Sequence, residues 1–483
     1  MRGGLGLGAV LAIALCVGVG GATSQRSAKK PRFVAFELPS TPPAAVGTTC
    51  PGSDDCWNRA VEPAIRADEA GAFYVSSENG LLEGTIAAKS VDGGLHYVSL
   101  DSPNAVSRGE DVGFAPGGGD TDLAIAPARN AARSFNVYVA SLTLGEITVS
   151  TSLDGGATWQ INPTAARVPG DDREWIAADG AAKVCISYHD LPTFNVNVDC
   201  SYDAGMTFVQ HASAIDLVAH ACLLQNNQIG NLAIDPVNDV VYQILVGIAS
   251  PAEIACGIRG TCKYHAVWMA VSTDGGRTFS DYPVYVGASD QVGYGHVFPN
   301  VTVDRAGNVY AVFSDDHDVF AAVSTDQGKT WSTPARVNRD PARTAIFPWA
   351  VAGDAGKLDV VYYGTSSSSS SSKSATWHAY FAQNLDATSP DSRFTQVRAT
   401  PVVHRGGACE SGISCNGNRD FYDDFGVAAS PTNGLASIAY TSDQYSAQET
   451  ARPGCTAQQS NTLHCDHTSI ATQIGGPGIF GSP

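Results

Sequence analysis

Short runs of alternating apolar and polar residues recur along almost the whole chain, and Gly, Asp, Asn or Pro bounds each run. This period-two alternation predicts half-buried β-strands. Seven pairs of strands can be aligned, each with an apolar opening strand and a second strand rich in Tyr, Val and small residues. The opening strands begin near Glu62, Asp122, Glu174, Asn231, Pro299, Pro348 and Asp424. Each pair is expected to form the inner half of a four-stranded antiparallel blade.

A hairpin phrase, Ser-x-Asp-x-Gly-x-x-aromatic, follows the second strand in five of the seven units. Its aspartates are Asp92, Asp154, Asp203, Asp274 and Asp326. An Asp carboxylate accepts hydrogen bonds from backbone N–H groups further along the turn, glycine supplies a positive φ, and the aromatic side chain packs the returning strand. We therefore interpret the five aspartates as structural turn residues without a catalytic role.

This phrase is the Asp box, or BNR repeat, and its recurrence every roughly 50 to 70 residues resembles the Asp-box β-propellers, the group that includes sialidases. The resemblance implies an all-β fold, a single β-propeller. The strand pairs favour seven blades, with six, the sialidase number, as the alternative if the last two units share strands. Unit seven has no box, and the apolar stretch near 32–38 is expected to add the strand that closes the ring.

The start of the chain has the pattern of a signal peptide. Arg2 precedes an apolar run from Leu5 to Val19 and a stretch of small residues, which predicts a leader over 1–24 and a single propeller domain over 25–483. No other segment is apolar enough to cross a bilayer, so we expect a secreted protein, extracellular or periplasmic. A net charge of −18 argues against nucleic acid or anionic membranes as partners. We expect a monomer.

The cysteines beyond the leader fall mostly into close pairs, which predict local disulfides in an oxidising compartment. The pairs are Cys50/Cys56, Cys185/Cys200, Cys256/Cys262, Cys409/Cys415 and Cys455/Cys465. Cys222 is left over, either as a buried free thiol or as a competitor of Cys262 for Cys256. Because no pair has the two-residue spacing of a zinc knuckle, the cysteines predict no metal site.

In a propeller, the residues just before the inner strands surround the mouth of the central channel, and here they are unusually polar. Acids, arginines and aromatic residues that converge in one concavity indicate a ligand site. The predicted ligand-binding residues are Asp120, Asp122, Arg173, His296, Arg343, Arg419, Asp420, Asp423 and Asp424. The alternative interpretation is that these side chains only cap turns beside a wet channel.

The resemblance to sialidases implies three arginines that hold the substrate carboxylate, a tyrosine nucleophile activated by a glutamate, and an aspartate acid/base. The residue types available on this chain are Arg173, Arg343 and Arg419 for the clamp, Tyr422 as nucleophile, Glu174 as its base, and Asp172 or Asp120 as acid. The family's Arg-Ile-Pro phrase is replaced by Val61-Glu62-Pro63, with valine at the arginine position. The predicted catalytic residues are therefore Asp172, Glu174 and Tyr422. Hydrolysis of a neutral or uronic glycan by Glu174 paired with Asp424 is a further alternative.

The sequence therefore favours a secreted propeller that recognises an extracellular ligand, first of all a glycan, at its channel mouth. A glycoside hydrolase, sialidases included, and a protein-binding or structural propeller are the alternatives. No cofactor is predicted. The clustered carboxylates leave calcium open, with the oxygen ligands Asp120, Asp122, Asp172, Asp423 and Asp424.

Overall fold

The computed structural model describes residues 1, 30–39, 58, 60–79, 84–104, 118–143, 145–411, 415, 421–445, 454–455 and 465–481. The predicted signal peptide, Cys50, Cys56, Arg419 and Asp420 lie outside the described residues.

The described part of the chain is built almost entirely of β-strands. In chain order they are β1 (Arg32–Glu37), β2 (Val61–Ala67), β3 (Phe73–Glu78), β4 (Thr85–Ser90), β5 (Val98–Ser99), β6 (Thr121–Arg129), β7 (Phe135–Leu142), β8 (Ile147–Ser152), β9 (Gln160–Asn162), β10 (Asp171–Asp179), β11 (Lys183–Asp190), β12 (Val196–Ser201), β13 (Gln210–Ser213) and β14 (Asn227–Asp235). They continue with β15 (Val240–Gly247), β16 (Ala266–Ser272), β17 (Ser280–Val286), β18 (Asn300–Val303), β19 (Val309–Ser314), β20 (Val319–Ser324), β21 (Ala335–Arg336), β22 (Thr344–Ala352), β23 (Leu358–Thr365), β24 (Thr376–Asn384), β25 (Thr395–Arg398), β26 (His404–Arg405), β27 (Gly426–Ala429), β28 (Ala436–Ser442) and β29 (His467–Gly475).

These strands form seven antiparallel blades in a ring, which confirms the predicted seven-bladed β-propeller. Blades 1 to 5 hold β2–β5, β6–β9, β10–β13, β14–β17 and β18–β21, and blade 6 holds β22–β25 with β26 paired to β24. Blade 7 holds β27, β28, β29 and β1. The first strand of each blade lies innermost, and neighbouring first strands pack against one another around the axis.

Because side chains alternate between the two faces of a strand, one face of each blade packs against the next blade. Tyrosine side chains fill several of these contacts between blades. Tyr138, Tyr242 and Tyr310, on the second strands of their blades, are at most 1% exposed. Near the axis the inner strands carry small residues, such as Ala124, which lines the central cavity of about 280 Å³. Small side chains at this position let seven strands converge without overpacking.

The Asp-box aspartates are satisfied inside their own hairpins, as the box of blade 4 illustrates. The Asp274 carboxylate accepts hydrogen bonds from the backbone N–H groups of Arg277 and Thr278 (both 3.0 Å), and from the hydroxyls of Ser272 and Thr278 (both 2.7 Å). Against a raising effect of burial, these bonds lower the pKa of Asp274 to about 2. The other four boxes have the same local bonding between Ser and Asp.

The glycines of the boxes lie where one blade meets the preceding one. Gly94, in blade 1, has a φ of +84°, and an added Cβ would lie 3.0 Å from the Thr472 Oγ1 atom and 3.1 Å from the Ser437 Oγ atom of blade 7. Gly205, in blade 3, would meet Thr151 of blade 2 at 2.7 Å. The box is therefore both a tight turn and a contact point between blades.

The ring is closed by strands from both ends of the chain. Strand β1 pairs antiparallel with β29, with Phe36 opposite Ile470, and so forms the outer edge of blade 7. After β29 the chain continues to turns of the neighbouring blades 6 and 5. In blade 6, the N–H of Asp354 donates to the Ile479 carbonyl (2.9 Å). Arg305 packs over the Phe480 ring at 4.4 Å.

Four of the five predicted disulfides lie within the described residues and are formed: Cys185–Cys200, Cys256–Cys262, Cys409–Cys415 and Cys455–Cys465. Cys222 is a buried free cysteine, which decides between the two alternatives for this residue. The bond Cys185–Cys200 joins residues directly opposite one another on β11 and β12.

Helical structure in the described ranges is confined to short connections, among them α1 (Ile254–Ile258) beside the Cys256–Cys262 loop. In those ranges, none of the helices has the length and apolar composition that crossing a bilayer requires.

Candidate functional site

A recurring bulge marks the point where inner strands enter the ring. The pairing register shifts near the start of β2, β10, β14 and β22. At three of these bulges a non-glycine residue has a positive φ: Glu62 (49°), Arg173 (56°) and Phe347 (54°). Bulges of this kind redirect a side chain out of the regular alternation and are common beside functional sites. Here they bring Glu62 and Arg173 to the residues that precede β27.

The Arg173 guanidinium is the centre of the channel mouth. It contacts Asp424 at 2.5 Å, Asp423 at 2.8 Å and Asp120 at 3.3 Å, and the Glu62 carboxylate lies 4.0 Å away. The Glu62 carboxylate also accepts a hydrogen bond from the backbone N–H of Asp423 (3.1 Å). Blades 1, 2, 3 and 7 thus contribute one group each or more to a single cluster, which we call the Arg173 cluster.

Aromatic rings form the floor beneath this cluster. The guanidinium lies 4.5 Å from the centre of the Phe298 ring and 5.7 Å from that of Trp175. Trp175 in turn packs against Trp349 at 5.3 Å between ring centres. The Arg66 guanidinium lies 5.2 Å from the centre of a Trp349 ring, and both residues line the central cavity. The rings therefore lie between the Arg173 cluster and the central cavity.

Several carboxyl groups at the mouth hold protons more tightly than usual. Burial, followed by the charges of neighbouring carboxylates, raises the pKa of Glu62 well above its usual range, although Arg173 opposes the shift. Burial and the charge of Asp120 likewise raise the pKa values of Glu174 and Asp424, again against the effect of Arg173. Asp172 is exposed as a residue, but partial desolvation of its carboxyl group and the charge of Asp120 raise its pKa, against the effect of Arg173. Because one guanidinium faces several carboxyl groups in a buried place, their protonated forms are favoured more than in an exposed carboxyl.

Glu174 is 1% exposed, and neither of its carboxylate oxygens forms a hydrogen bond with another described residue. A buried polar group in this state costs roughly 1 to 3 kcal/mol. Such a cost points to a role other than stabilising the fold.

The structure brings together four of the predicted ligand-binding residues, namely Asp120, Arg173, Asp423 and Asp424. The predicted catalytic residues Asp172 and Glu174 interact electrostatically with the same cluster. Arg173 also supplies positive charge at the place where the sequence suggested calcium. Arg173 and Asp424, which are in direct contact, are 251 positions apart along the chain.

Other predicted residues lie elsewhere. Asp122 is directed away from the cluster: it pairs with Arg66 (2.8 Å) and accepts the N–H of Ile176 (3.1 Å). The Arg343 side chain is 63% exposed and its ion-pair partner is the exposed Asp340. His296 belongs to a second cluster with Glu410.

Tyr422 lies beside a carboxylate other than its predicted base, Glu174. Its hydroxyl donates a hydrogen bond to Asp466 at 3.2 Å. Burial and the negative charge of Asp466 raise the pKa of Tyr422 well above its usual value.

Glu62 is a residue of the cluster that was not predicted from the sequence, although a signal was present. Glu62 and Arg173 precede, by the same number of residues, the aspartates Asp68 and Asp179 that follow or end their opening strands. Equal spacing indicated that the two residues occupy equivalent positions in their blades. Glu410 was also missed, because its contact with His296 joins segments 114 residues apart.

Comparisons with known proteins agree with the fold. The family model of the BNR/Asp-box repeat matches residues 322–333, the fifth box. No curated protein matches the sequence at a significant level.

Similar solved structures include a protein of unknown function from Dyadobacter fermentans, with 12% identity, coverage of 92% of this chain and 99% of that chain, and a TM-score of 0.48. An α-L-arabinofuranosidase from Fusarium graminearum has 14% identity, covers 68% and 93%, and has a TM-score of 0.44. A PL25 ulvan lyase has 10% identity, covers 88% and 95%, and has a TM-score of 0.49. Likenesses this distant carry no argument about function.

The ring of seven four-stranded blades defines the chain as a β-propeller. With five Asp boxes, one of them matched by the family model, it is an Asp-box, or BNR-repeat, propeller.

Proposed function

We propose that this chain is a secreted glycan-recognition propeller that binds a neutral glycan at the channel mouth. The observation that supports the proposal is the Arg173 cluster, in which a single guanidinium is enclosed by Asp120, Asp423 and Asp424. An ionised carboxylate accepts hydrogen bonds, and a protonated carboxyl also donates one. Such a mixture matches sugar hydroxyls, which both donate and accept.

Part of the cluster reaches solvent, as a binding site must. Asp172 is exposed, and the side chains of Asp120 and Asp423 are 13% and 16% exposed. Phe298 is partly exposed beside the guanidinium. An aromatic face next to convergent polar groups is the common composition of a small-molecule pocket. It suits the apolar face of a sugar ring.

Charge favours a neutral ligand over a sialic or uronic acid. Arg173, the arginine at the described part of the mouth, is already enclosed by carboxylates and is only 7% exposed in its side chain. An anionic sugar would approach Asp120, Asp172 and Asp423 without a free guanidinium, among the described residues of the mouth, to receive its carboxylate. The three-arginine clamp of the sialidases therefore does not form part of the proposal.

Secretion is part of the same proposal. The apolar segment from Leu5 to Val19 has the pattern of an export signal. The four disulfides support an oxidising compartment, since such bonds are rare in the reducing cytosol.

The test is a glycan-binding screen with the mature chain, followed by calorimetric titration of the best neutral oligosaccharide and of a sialylated or uronic counterpart. We expect Asp120→Asn and Asp423→Asn each to weaken binding of the neutral glycan at least tenfold, which corresponds to about 1.4 kcal/mol. Asp391→Asn removes an exposed carboxylate from blade 6 and serves as the matched control. Equal affinities for all variants, or binding of anionic glycans alone, would reject the proposal.

A second candidate function, glycoside hydrolysis, is favoured by the raised pKa of Asp424 beside Asp423 and Asp120. A carboxyl that stays protonated near neutral pH can protonate a leaving group, while a neighbouring carboxylate acts as base or nucleophile. The test is release of fluorophore from a panel of neutral glycosides. Hydrolysis predicts release that Asp424→Asn or Glu174→Gln abolishes and Asp391→Asn leaves unchanged. Glycan binding without release would assign the protein to recognition alone.

A further inference from the structure

A second cluster of titratable groups lies outside the Arg173 cluster. It consists of His296 from the segment before β18, Asp316 from the turn between β19 and β20, and Glu410 from the loop closed by Cys409–Cys415. One ligand atom from each residue lies within 4.8 Å of those from the other two. The Nδ1 atom of His296 is 2.7 Å from a Glu410 carboxylate oxygen. Three remote segments of the chain thus meet at one point.

At this point one imidazole, that of His296, faces two carboxyl groups. The carboxyl groups of Asp316 and Glu410 contact each other directly, and Ser370 hydrogen-bonds to Asp316. One oxygen of Asp316 is buried and has no hydrogen-bond partner among the described residues. Within the same ranges no lysine or arginine forms an ion pair with either carboxylate. Two adjacent carboxylates with one unused buried oxygen are the surroundings that a bound cation stabilises.

The ligand types indicate which cation. Calcium and magnesium prefer shells made of oxygen alone, whereas one imidazole nitrogen with two carboxylate oxygens suits zinc and the neighbouring transition metals. Ligand atoms around a zinc ion lie roughly 3 to 4 Å apart, so the observed cluster needs only small side-chain movements to reach that geometry.

We propose that His296, Asp316 and Glu410 form a binding site for a divalent transition-metal ion, with zinc as the expected metal. Three protein ligands leave a fourth position for water or a ligand group. The proposal does not depend on glycan binding at the Arg173 cluster.

The site would fasten the disulfide-closed loop to blade 5 beside the mouth. The backbone carbonyl of His296 accepts the N–H of Phe347 (3.3 Å), the residue at the β22 bulge. Glu410 lies in the segment that leads to Asp423 and Asp424. A metal that links His296 to Glu410 would therefore tie the loop of Cys409–Cys415 to the segment that contacts the β22 bulge.

The experiment uses the mature chain without an affinity tag, freed of metal by a chelator and dialysed. Zinc alone is titrated against a chromogenic competitor, and melting is followed with and without zinc. We expect one ion per chain and a rise in melting temperature. Asp316→Asn and Glu410→Gln should each weaken zinc binding at least tenfold and remove the rise. Asp315→Asn, the neighbouring carboxylate outside the triad, should keep both.

Absence of zinc binding by the wild-type chain would overturn the proposal, as would unchanged affinity in His296→Gln and Glu410→Gln. Calcium binding that is tighter than zinc binding would overturn the assigned class of metal. Near-UV circular dichroism of each metal-free variant checks the fold. If Asp316→Asn fails to fold, Glu410→Gln decides, because its side chain lies in a loop outside the seven sheets.

Discussion

Arg173 shows how much a single side chain contributes at the mouth. Its guanidinium is the shared partner of Asp120, Asp423 and Asp424, which come from two other blades. Buried charges of this kind do little for stability when they are paired, but they are costly once a partner is removed. The residue therefore matters most through the carboxylates that it would leave behind.

We predict that Arg173→Gln lowers the free energy of unfolding at pH 7 by about 3 to 5 kcal/mol. The loss should shrink toward pH 4.5, because the abandoned carboxylates can then take up protons. Urea unfolding at both pH values measures the effect. Arg343→Gln, whose side chain is 63% exposed, is the matched control and should change stability by less than about 1 kcal/mol. Similar losses in the two variants would contradict this view of the cluster.

Asp171 is a second residue whose contribution to stability should depend on pH. It is 3% exposed, its carboxylate oxygens form no hydrogen bond in the described structure, and burial together with Glu146, Asp199 and Asp190 raises its pKa to about 8. In the unfolded chain the same carboxyl ionises near pH 4. Between these values the folded state holds the extra proton, so this residue's contribution to stability falls as pH rises.

Asp171→Asn should therefore raise the melting temperature at pH 8 by several degrees, equivalent to ~1 to 3 kcal/mol, and the gain should fade toward pH 4. Thermal unfolding between pH 4 and 8 gives the comparison, with Asp391→Asn as the exposed control. A gain that is the same at both ends of the range would show that ionisation of Asp171 is not its cause.

At the level of elements, the Asp box forms a tight turn and also contacts the preceding blade. Glycine substitutions can separate these two roles. Gly93 and Gly94 have similar positive φ values, +80° and +84°. An added Cβ at Gly93 would meet nothing within 4 Å, whereas at Gly94 it would press on Thr472 and Ser437. Thr472 is held in place by its own hydrogen bond to the Gly94 carbonyl (2.5 Å).

Gly93→Ala should lower the free energy of unfolding by about 1 to 2 kcal/mol, since the only strain is that of alanine in a left-handed backbone conformation. Gly94→Ala should cost a further ~1 to 3 kcal/mol from crowding between blades 1 and 7. Chemical denaturation of both variants tests the difference. Equal costs would mean that the box acts only as a turn.

The elements were predictable to very different degrees. The seven opening strands and five hairpins follow from local signals, namely alternation and the turn chemistry of residues such as Asp274. The bulges at Glu62, Arg173 and Phe347 were not predicted, because a positive φ at a non-glycine residue has no clear sequence signal. The contacts of Arg173 with Asp424 and of His296 with Glu410 join distant segments, so they depend on the whole ring and not on local sequence.

At the scale of the whole molecule, closure depends on a short strand. Leu38, just after β1, is 1% exposed and its N–H donates to Thr468 (3.1 Å). Phe33 on β1 also packs against Phe381 of blade 6 at 4.9 Å between ring centres. Without β1, the polar backbone edge of β29 would be free to pair with other chains.

A chain that begins after Leu38 should therefore lose cooperative thermal unfolding or aggregate, whereas a chain that begins at Lys30 should behave like the mature protein. Size-exclusion chromatography and calorimetry of the two truncations provide the measurement. A monodisperse short form with an unchanged melting temperature would show that six complete blades and one of three strands are sufficient.

The shared seventh blade also bears on the order in which the protein is made. Among the described strands β1 comes first along the chain and β29 comes last, and Asn58 and Thr468, which hydrogen-bond beside this junction, are 410 positions apart. Until β29 has been synthesised, β1 has no strand to pair with and the nascent chain is an open arc with two unpaired ends. A stop codon just before β29 would therefore leave the ring unable to close.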